Sequence, residues 1–539
     1  MYTVNRNRSL FVKTMIIKNI FKHKGDVLSL PKQHNGHKEN LRENILLIIR
    51  PTLEYFVTFV FKAGLILAIF ITSCAPREPN TAIQNIITPL APTLIPAPTS
   101  GRPQYQPGEL VEYIAQNGDN LPALAKRFNT SVDEIFKANP IIPRDATTMP
   151  VGLPMKIPIY YLPLWGTEFQ SIPDHAFVNG PAQIGFNASA FVSSTNGWLK
   201  EYRAYAGGRN RTGAELVEYV AVNYSLSPRL LLALLEYQSG ALTQPEPPKE
   251  KYLLGFRRAF YDSPYLQLVI AANILNNGYY GWRSGNLTEF ELTDRSLTRP
   301  DPWQNAGSVA LQYYFSRLRS GDEYHASIGR DGLARTYSAF FGNPWLDSPI
   351  VIPGSLRQPE LRFPFLPGHV WAYTSGPHTG WGAGQPYAAL DFAPASDTSG
   401  CYTVARDLYA TAMADGLIVR ADVDGVILDL DKDGDERTGW ALYYLHTATD
   451  SRVTVGTEVK AGDPIGYPSC EGGSSTGTHI HVARKYNGEW ILADGTLAFD
   501  LEGWVADGEE RDGTLTRGAQ VITACECSDF GTRVESEAR

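Results

Sequence analysis

The apolar pattern of this chain changes at about residue 363, and the change limits the folds open to it. Upstream, segments such as RLLLALLEY and LQLVIAANILNNGYYGW place apolar residues at helical spacing. Downstream, short β-branched or aromatic runs are separated by Gly, Asp and Asn, which predicts an antiparallel sheet. Since 539 residues exceed what one hydrophobic core organises, we predict separate helical and β domains.

The charge balance excludes one class of partner. The formal net charge is −8 at pH 7, and no long run of like charges occurs along the chain. Because nucleic-acid binding depends on a basic surface, we expect no nucleic-acid partner.

Residues 1–74 have the features of an export signal rather than of a folded domain. The apolar run 56–73, interrupted by Lys62, ends directly before Cys74. Ile-Thr-Ser-Cys at this point resembles a bacterial lipobox, which implies export, a lipid on Cys74 and anchoring to the membrane of the cell envelope. A plain transmembrane anchor is the alternative. The Pro-rich stretch 75–108 is predicted to be an extended linker.

Four cysteines follow the lipobox, namely Cys401, Cys470, Cys525 and Cys527. An even number in an oxidising compartment favours disulfides, and a structural zinc site is the alternative. Because Cys525 and Cys527 are so close in sequence, we expect each to bond elsewhere rather than to the other.

Residues 109–160 carry two strand signals with two amphipathic helices between them. A Gly-Asp-Asn-Leu turn, a Leu-Ala-Lys-Arg-Phe helix and a Gly-Leu-Pro-Met-Lys-Ile-Pro strand occur in the order of a LysM module, which the segment resembles over its whole length. The resemblance implies binding of N-acetylglucosamine-containing glycan, with peptidoglycan as the expected partner. A LysM-like spacer without a ligand is the alternative. The candidate glycan contacts are Gly118, Asp119, Asn120 and Asn139.

Residues 161–356 are predicted to be mainly helical. The string SPRLLLALLEYQSGALTQ resembles the first motif of lysozyme-like lytic transglycosylases, but Gln238 stands where that family has its catalytic glutamate. An amide cannot protonate a leaving oxygen, so we expect this domain to bind glycan, with Gln238 as a contact, and not to cleave it. Glu236 would point about 200° away on the same helix. A glycosidase that uses Glu236 and a helical spacer without a ligand are the alternatives.

Five polar residues of the β region have types and spacing suited to a hydrolytic metal site: His378, Asp391, His446, His479 and His481. Such a zinc site needs three nitrogen or oxygen ligands and one open position. His378, Asp391 and His481 would supply the ligands. Alternation along a strand puts His479 and His481 on one face, about 7 Å apart, so that one can bind metal while the other acts as base. His446 would stabilise the oxyanion or shuttle a proton.

This constellation resembles the lysostaphin-type zinc endopeptidases, also called the LytM or β-lytic family, over residues 357–506. Ala-Asp-Gly at 414–416, Lys-Ala-Gly-Asp-Pro-Ile-Gly at 460–466 and Ser-Thr-Gly-Thr-His at 475–479 match the family context. The segment between the first histidine and the aspartate is longer than in many members and comparable to that of the β-lytic branch. The resemblance implies Zn²⁺ as cofactor and cleavage of peptide bonds in peptidoglycan. It assigns zinc to His378, Asp391 and His481, and catalysis to His446 and His479.

The sequence therefore predicts a multidomain protein: a small β-α-α-β LysM module, a mainly α lysozyme-like domain, an antiparallel all-β metallopeptidase domain and a tail at 507–539 with a Cys pair. A catalytically inactive peptidoglycan-binding protein or hydrolase activator is the alternative.

The run Asp429, Asp431, Asp433 and Asp435 resembles the start of a calcium loop, although Trp440 occupies the twelfth position. A solvated hairpin tip is the other interpretation of that run.

Overall fold

The computed structural model describes residues 102–160, 162, 165–347, 349–396, 398–508 and 512–537. These residues belong to one folded unit that spans Ile95–Arg539. The predicted export signal, Cys74 and linker residues 75–101 lie outside the described residues. None of the helices in the described ranges has the length and apolarity that crossing a membrane requires.

The first module has the predicted β-α-α-β order, in which β1 and β2 pair antiparallel. Asn120 caps the first helix by accepting a hydrogen bond from Ala123 N, and Ser131 forms a capping box with Glu134 at the start of the second. Its elements are β1 Glu109–Ile114, α1 Leu121–Arg127, α2 Val132–Ala138 and β2 Pro154–Ile159.

The helical domain is built around α6, whose run Leu230–Leu235 is completely buried. Thr212 and Glu215 form a capping box at the start of α5, and Ser227 caps α6 ahead of a proline at its first position. Two short hairpins, β3–β4 and β5–β6, interrupt the helices. The elements are α3 Asp174–Phe177, α4 Ala188–Ser193, β3 Arg203–Ala206, β4 Arg209–Thr212, α5 Gly213–Tyr224, α6 Pro228–Ser239, α7 Pro264–Arg283, β5 Phe290–Glu291, β6 Leu297–Thr298, α8 Ala306–Ser316, α9 Gly321–Ile328 and α10 Leu333–Phe341.

The β domain is antiparallel, as predicted. Its large sheet has the strand order β13-β10-β11-β12-β15-β8-β7-β21, with β16 added beside β15, and a smaller sheet has the order β17-β18-β19-β20. The strands are β7 Val370–Thr379, β8 Tyr387–Pro394, β9 Ala410–Thr411, β10 Gly416–Asp422, β11 Gly425–Asp429, β12 Trp440–Leu445, β13 Glu458–Val459, β14 Pro464–Gly466, β15 Ile480–Tyr486, β16 Glu489–Ile491, β17 Asp500–Leu501, β18 Trp504–Asp507, β19 Thr514–Arg517, β20 Gln520–Thr523 and β21 Arg533–Glu535.

The C-terminal residues differ from the predicted tail. Strands β19 and β20 continue the smaller sheet, and β21 pairs with β7 at the edge of the large one. An edge strand has unpaired backbone groups that another strand can satisfy, which accounts for the return of the chain to this position. Strands β19, β20 and β21 therefore complete the sheets of the β domain.

The disulfides differ from the expectation in one pair. Cys401 bonds to Cys470, and Cys525 bonds to Cys527 although only one residue separates them. The two Cα atoms of the second pair are 5.0 Å apart, which lies within the range that disulfides span. A tight local turn, in which Cys527 N donates to the carbonyl of Cys525, makes the pairing that sequence proximity alone argued against.

The helical domain covers one face of the large sheet. Along β15, Val482 points into the core formed with Phe363, whereas Ala483 lies in the same cluster as the leucines of α6. On the face of Ala483, Lys485 donates through Nζ to the carbonyl of Val222 on α5 at 3.3 Å. Because side chains alternate, His481 shares that face, and the helical domain borders whatever site His481 serves.

Candidate metal centre

Neighbouring strands bring the five predicted residues together. Asp391 on β8 lies directly opposite His481 on β15, and His378 on β7 lies opposite Ala389 of β8. His446 follows β12 directly, where Leu445 pairs with His481. The sheet thus converts residues that are far apart in the chain into one cluster.

Three donor atoms form a nearly equilateral triangle. His378 Nε2 and His481 Nδ1 each lie 3.2 Å from Asp391 Oδ1, and the two nitrogens lie 3.1 Å apart. Ligands bound tetrahedrally to zinc at about 2.0–2.1 Å are separated by about 3.3 Å. The triangle therefore fits an ion of this size.

Asp391 supplies a second sign of a cation site. Its Oδ1 atom is buried and accepts no well-formed hydrogen bond from any described residue, although two imidazole nitrogens face it. Burial would raise the pKa of Asp391, but the imidazoles of His378 and His479 hold that pKa well below its usual range. A buried, ionised and unsatisfied carboxylate oxygen is the state that a metal ligand requires.

Backbone carbonyls orient the two ligand imidazoles. His378 donates through Nδ1 to Gly376 O at 2.8 Å, and His481 donates through Nε2 to Gly380 O at 3.1 Å. Since a carbonyl can only accept, the opposite nitrogen of each ring carries the lone pair that faces Asp391. Burial also lowers the pKa of His481, which favours the neutral ring that binds metal.

His446 and His479 lie beside this triangle with their ring centroids 4.5 Å apart. His446 donates through Nδ1 to Glu471 O at 2.7 Å, and His479 donates through Nδ1 to Gly477 O at 2.8 Å, so each presents Nε2 as an acceptor. His479 Nε2 is 3.4 Å from Asp391 Oδ2. Burial and the neighbouring histidines lower the pKa of His446 to about 4, which keeps its ring neutral at pH 7.

His446 has a backbone conformation that its surroundings maintain. Its φ of 64° lies in the left-handed region, which costs a residue with a β-carbon about 1–3 kcal/mol. Ser469 donates to the His446 carbonyl through both N, at 2.7 Å, and Oγ, at 2.9 Å. No local sequence pattern marks Ser469, because its role depends on a contact made across the fold.

The cluster opens into a cleft of about 870 Å³. Two wall segments consist of Pro394, Ser396, Thr398, Ser399, Gly400 and Tyr402 on one side and of residues 472–479 on the other. The Cys401–Cys470 disulfide joins the chain next to these two segments. Tyr224, the last residue of helix α5, lines the cleft together with Trp381. The helical domain thus contributes directly to the cavity that contains the five residues.

The long segment between His378 and Asp391 is held by helix α7. Asn273 Oδ1 accepts a hydrogen bond from Ala383 N at 2.7 Å, and Asn277 Oδ1 accepts one from Gln385 N at 2.7 Å. The two asparagines are four residues apart and share one helix face. Asparagines at this spacing on a largely apolar helix are the sequence signal that could have indicated this contact.

The four predicted glycan contacts of the first module have intramolecular partners instead. Asp119 is buried and pairs with Arg127, and Asn120 donates through Nδ2 to the carbonyl of Arg283 at 3.0 Å. A β-carbon on Gly118 would lie 2.6 Å from the Arg283 guanidinium, and Asn139 bonds to the backbone of its own module. The structure therefore does not present these four candidate glycan contacts on an open surface, because the turn that holds three of them packs against helix α7.

Gln238 lines a separate cavity of about 650 Å³, and its Oε1 atom accepts a hydrogen bond from Arg319 at 2.6 Å. Glu236 does not line that cavity. Its carboxylate accepts hydrogen bonds from Leu242 N at 2.7 Å and from Thr243 Oγ1 at 2.6 Å, so it stabilises the turn that follows α6. These contacts argue against Glu236 as a glycosidase acid. The exposed Glu250 also lines the cavity.

The sequence comparisons point to a protease. Residues 170–353 match the family model described as LasA, N-terminal domain. The chain is 28% identical over 323 residues to Protease LasA of Pseudomonas aeruginosa strain UCBPP-PA14, covering 55% of this chain and 72% of that protein. Protease LasA of strain PAO1 is 27% identical over the same length. The resemblance of the helical region to lytic transglycosylases stays a prediction.

Similar solved structures include the M23 metalloprotease pseudoalterin, which is 23% identical in sequence. The match covers 31% of this chain and 96% of the pseudoalterin chain, with a TM-score of 0.26. Another is the catalytic domain of lysostaphin from Staphylococcus simulans, which is 25% identical in sequence. That match covers 23% of this chain and 87% of the lysostaphin domain, with a TM-score of 0.16. The chain is thus similar in sequence to a protease over more than half of its length, and its histidine–aspartate cluster has the donor set of a metal-dependent one.

Proposed function

We propose that the protein is an exported zinc metalloendopeptidase that hydrolyses peptide bonds of bacterial peptidoglycan. The observation that carries this proposal is the convergence of His378 Nε2, His481 Nδ1 and the unsatisfied Asp391 Oδ1 at one end of an open cleft. The sequence similarity to Protease LasA supports the reaction class. The resemblance to lysostaphin-type enzymes supports the substrate.

His378, Asp391 and His481 would hold the zinc ion. Bound there, zinc would supply Lewis acidity towards the scissile carbonyl and the attacking water. The carbonyls of Gly376 and Gly380 keep the two ligand rings in the required tautomers.

His479 is suited to be the general base. Its Nδ1 donates to Gly477 O, so its Nε2 is available to take a proton from the attacking water and to return it to the leaving amine. His446 lies against His479 and is neutral at pH 7. Its Nε2 can therefore accept a hydrogen bond, or a proton, from the attacking water. If His446 took the proton of the attacking water in place of His479, its Nε2 would donate that proton in a hydrogen bond to the developing oxyanion and then pass it to the leaving amine.

The shape of the cleft supports a peptide substrate. Gly472, Gly473 and Gly477 line it and leave backbone groups uncovered by side chains.

Placement of the enzyme on its substrate is part of the proposal. A lipid on Cys74 would hold the protein at the membrane of the cell envelope, and tethering raises the effective concentration of an enzyme on an insoluble polymer. A glycan-docking role of the β-α-α-β module would have to use a surface other than its Gly118–Asn120 turn, which packs on α7.

The test is digestion of purified peptidoglycan by zinc-loaded protein, with new amino groups and new reducing sugar ends scored separately. We expect amino groups only, with loss of activity on chelation and recovery with zinc. His481→Ala and His479→Ala should be inactive, whereas His325→Ala, which changes an exposed histidine of the helical domain, should be fully active. Release of sugar ends alone, or unchanged activity of His481→Ala, would refute the proposal.

The rival function is that of an inactive wall-binding protein or hydrolase activator. All five residues of the predicted metal site line one cleft, which favours an active enzyme over an inactive binding protein. A glycosidase of the helical domain is disfavoured by Gln238 and by the capping contacts of Glu236.

A further inference from the structure

A second group of potential metal ligands lies where β11 leads into the loop before β12. Oxygens of Asp429, Asp431 and Asp433 all lie within 4.8 Å of one another. The group shares no residue with the histidine cluster. Its alternating aspartates are followed by Gly434, whose φ of 91° produces the turn.

Asp429 is the residue that distinguishes this group from an ordinary acidic loop. Its side chain is completely buried, and its Oδ1 atom accepts no hydrogen bond from the described part of the chain. The other oxygen, Oδ2, accepts one from Gly434 N at 2.9 Å. A buried carboxylate oxygen without a donor is costly, and a cation placed between the carboxylates would remove that cost.

Basic side chains nearby do not balance the three carboxylates. Lys432 Nζ pairs with Glu458 at 2.9 Å, and Arg437 pairs with Asp435 at 2.6 Å. Across the described ranges, no ion pair involves Asp429, Asp431 or Asp433. Burial and repulsion from the other two carboxylates raise the pKa of Asp429 to about 6, in line with uncompensated charge.

We propose that Asp429, Asp431 and Asp433 form a calcium site that is separate from the zinc centre. The ligands are all hard carboxylate oxygens, without the imidazole or thiolate that zinc prefers. Separations of up to 4.8 Å suit Ca–O bonds of about 2.3–2.6 Å. Since Trp440 supplies no carboxylate at the twelfth position, we expect weaker binding than in a complete calcium loop, with a dissociation constant of about 10⁻⁴–10⁻³ M, as in extracellular modules.

The loop that would be ordered by calcium also contacts the helical domain. Glu436 accepts hydrogen bonds from Arg420 at 2.9 and 3.1 Å, and Arg420 in turn donates to Asn223 Oδ1 at 2.9 Å. Arg437 donates to the carbonyl of Gln183 at 3.3 Å. Calcium would therefore stabilise the attachment of the helical domain to the sheet as well as the loop itself.

The experiment uses zinc-loaded protein freed of calcium. Calcium is titrated by calorimetry, and terbium is titrated by luminescence excited through Trp440, whose carbonyl accepts a hydrogen bond from Leu430 N across the loop at 3.0 Å. The double variant Asp431→Asn/Asp433→Asn is compared with Asp450→Asn, an exposed aspartate in another turn of the β domain. Zinc content and circular dichroism confirm that each variant is folded.

We expect one calcium per chain, sensitised terbium emission that calcium displaces, and a higher melting temperature in calcium. The double variant should bind at least about tenfold more weakly, and Asp450→Asn should behave as wild type. If wild-type protein shows neither calcium heat nor a shift in melting temperature, or if the folded double variant binds as tightly as wild type, the proposal is wrong. Because none of these readouts measures hydrolysis, they stand apart from the proposed peptidase activity.

Discussion

Asn273 of helix α7 accepts, through Oδ1, the backbone N–H of Ala383 at 2.7 Å, and so joins the helical domain to the loop between two candidate metal ligands. Asn277 does the same for Gln385 one helical turn later. The helical domain is therefore part of the environment of the site and not a remote attachment. A change on α7 should reach the zinc centre through this loop.

The first prediction concerns this link. Asn273→Ala combined with Asn277→Ala removes two hydrogen bonds, each contributing about 1 kcal/mol, from a loop that positions His378. We expect kcat/KM on peptidoglycan fragments to fall several-fold while the fold is retained, because small displacements of a ligand strongly affect catalysis. Asn286→Ala, which alters a contact with Lys126 instead, is the control. Equal activity of the double variant and the control would show that the link has no role.

Metal removal should destabilise the protein. Zinc would join β7, β8 and β15 through His378, Asp391 and His481, and its loss leaves the Asp391 Oδ1 atom unsatisfied. We expect a lower melting temperature after chelation and recovery with zinc, measured by calorimetry. Loss of a residue that only hydrogen-bonds to a metal ligand weakens metal binding roughly 10- to 100-fold. Because Asp391 would be a ligand itself, Asp391→Asn should weaken zinc binding by more than this, measured by competition with a chromophoric chelator. Asp450→Asn should bind zinc normally.

The third prediction concerns the pH dependence of stability in metal-free protein. Because burial lowers the pKa of His446 to about 4, the unfolded chain binds a proton at this residue between about pH 4 and pH 6.5, whereas the folded chain does not. The unfolding free energy of wild type should therefore rise with pH across this window, by at most about 3 kcal/mol, relative to His446→Gln. Chemical denaturation at several pH values measures the difference. A constant difference from pH 4 to pH 6.5 would contradict it.

Arg283, the last residue of α7, joins three parts of the chain. Its guanidinium lies 3.0 Å from Asp174 and 2.9 Å from Glu489, and it also donates to the carbonyl of Asn117. Arg283→Met should destabilise the protein by about 3–5 kcal/mol, because two buried carboxylates lose their cation. Arg335→Met, at an exposed ion pair, should cost no more than about 1 kcal/mol. Urea denaturation compares the two, and similar losses would show that Arg283 has no special role.

Much of the metal centre could be predicted because its signals are local. The His-x-His pair on a strand, the aspartate in an apolar strand and the surrounding glycine-rich turns place His479, His481 and Asp391 without knowledge of the rest of the chain. The helix caps at Ser131, Thr212 and Ser227 also depend on local signals, since each contact joins residues three positions apart. Strand alternation and capping depend on residues a few positions apart, which a sequence displays directly.

The sequence by itself determined the order of helical and β regions, the donor types of the metal centre and the absence of a suitable acid at Gln238. Only the tertiary structure decided that α7 holds the loop before Asp391, that Arg283 covers the Gly118 turn, and that the C-terminal strands complete the sheets. The physical reason is separation along the chain. Asn273 and Ala383 are 110 positions apart, and Arg283 and Asn117 are 166 apart, so the packing of whole domains is what brings each pair into contact.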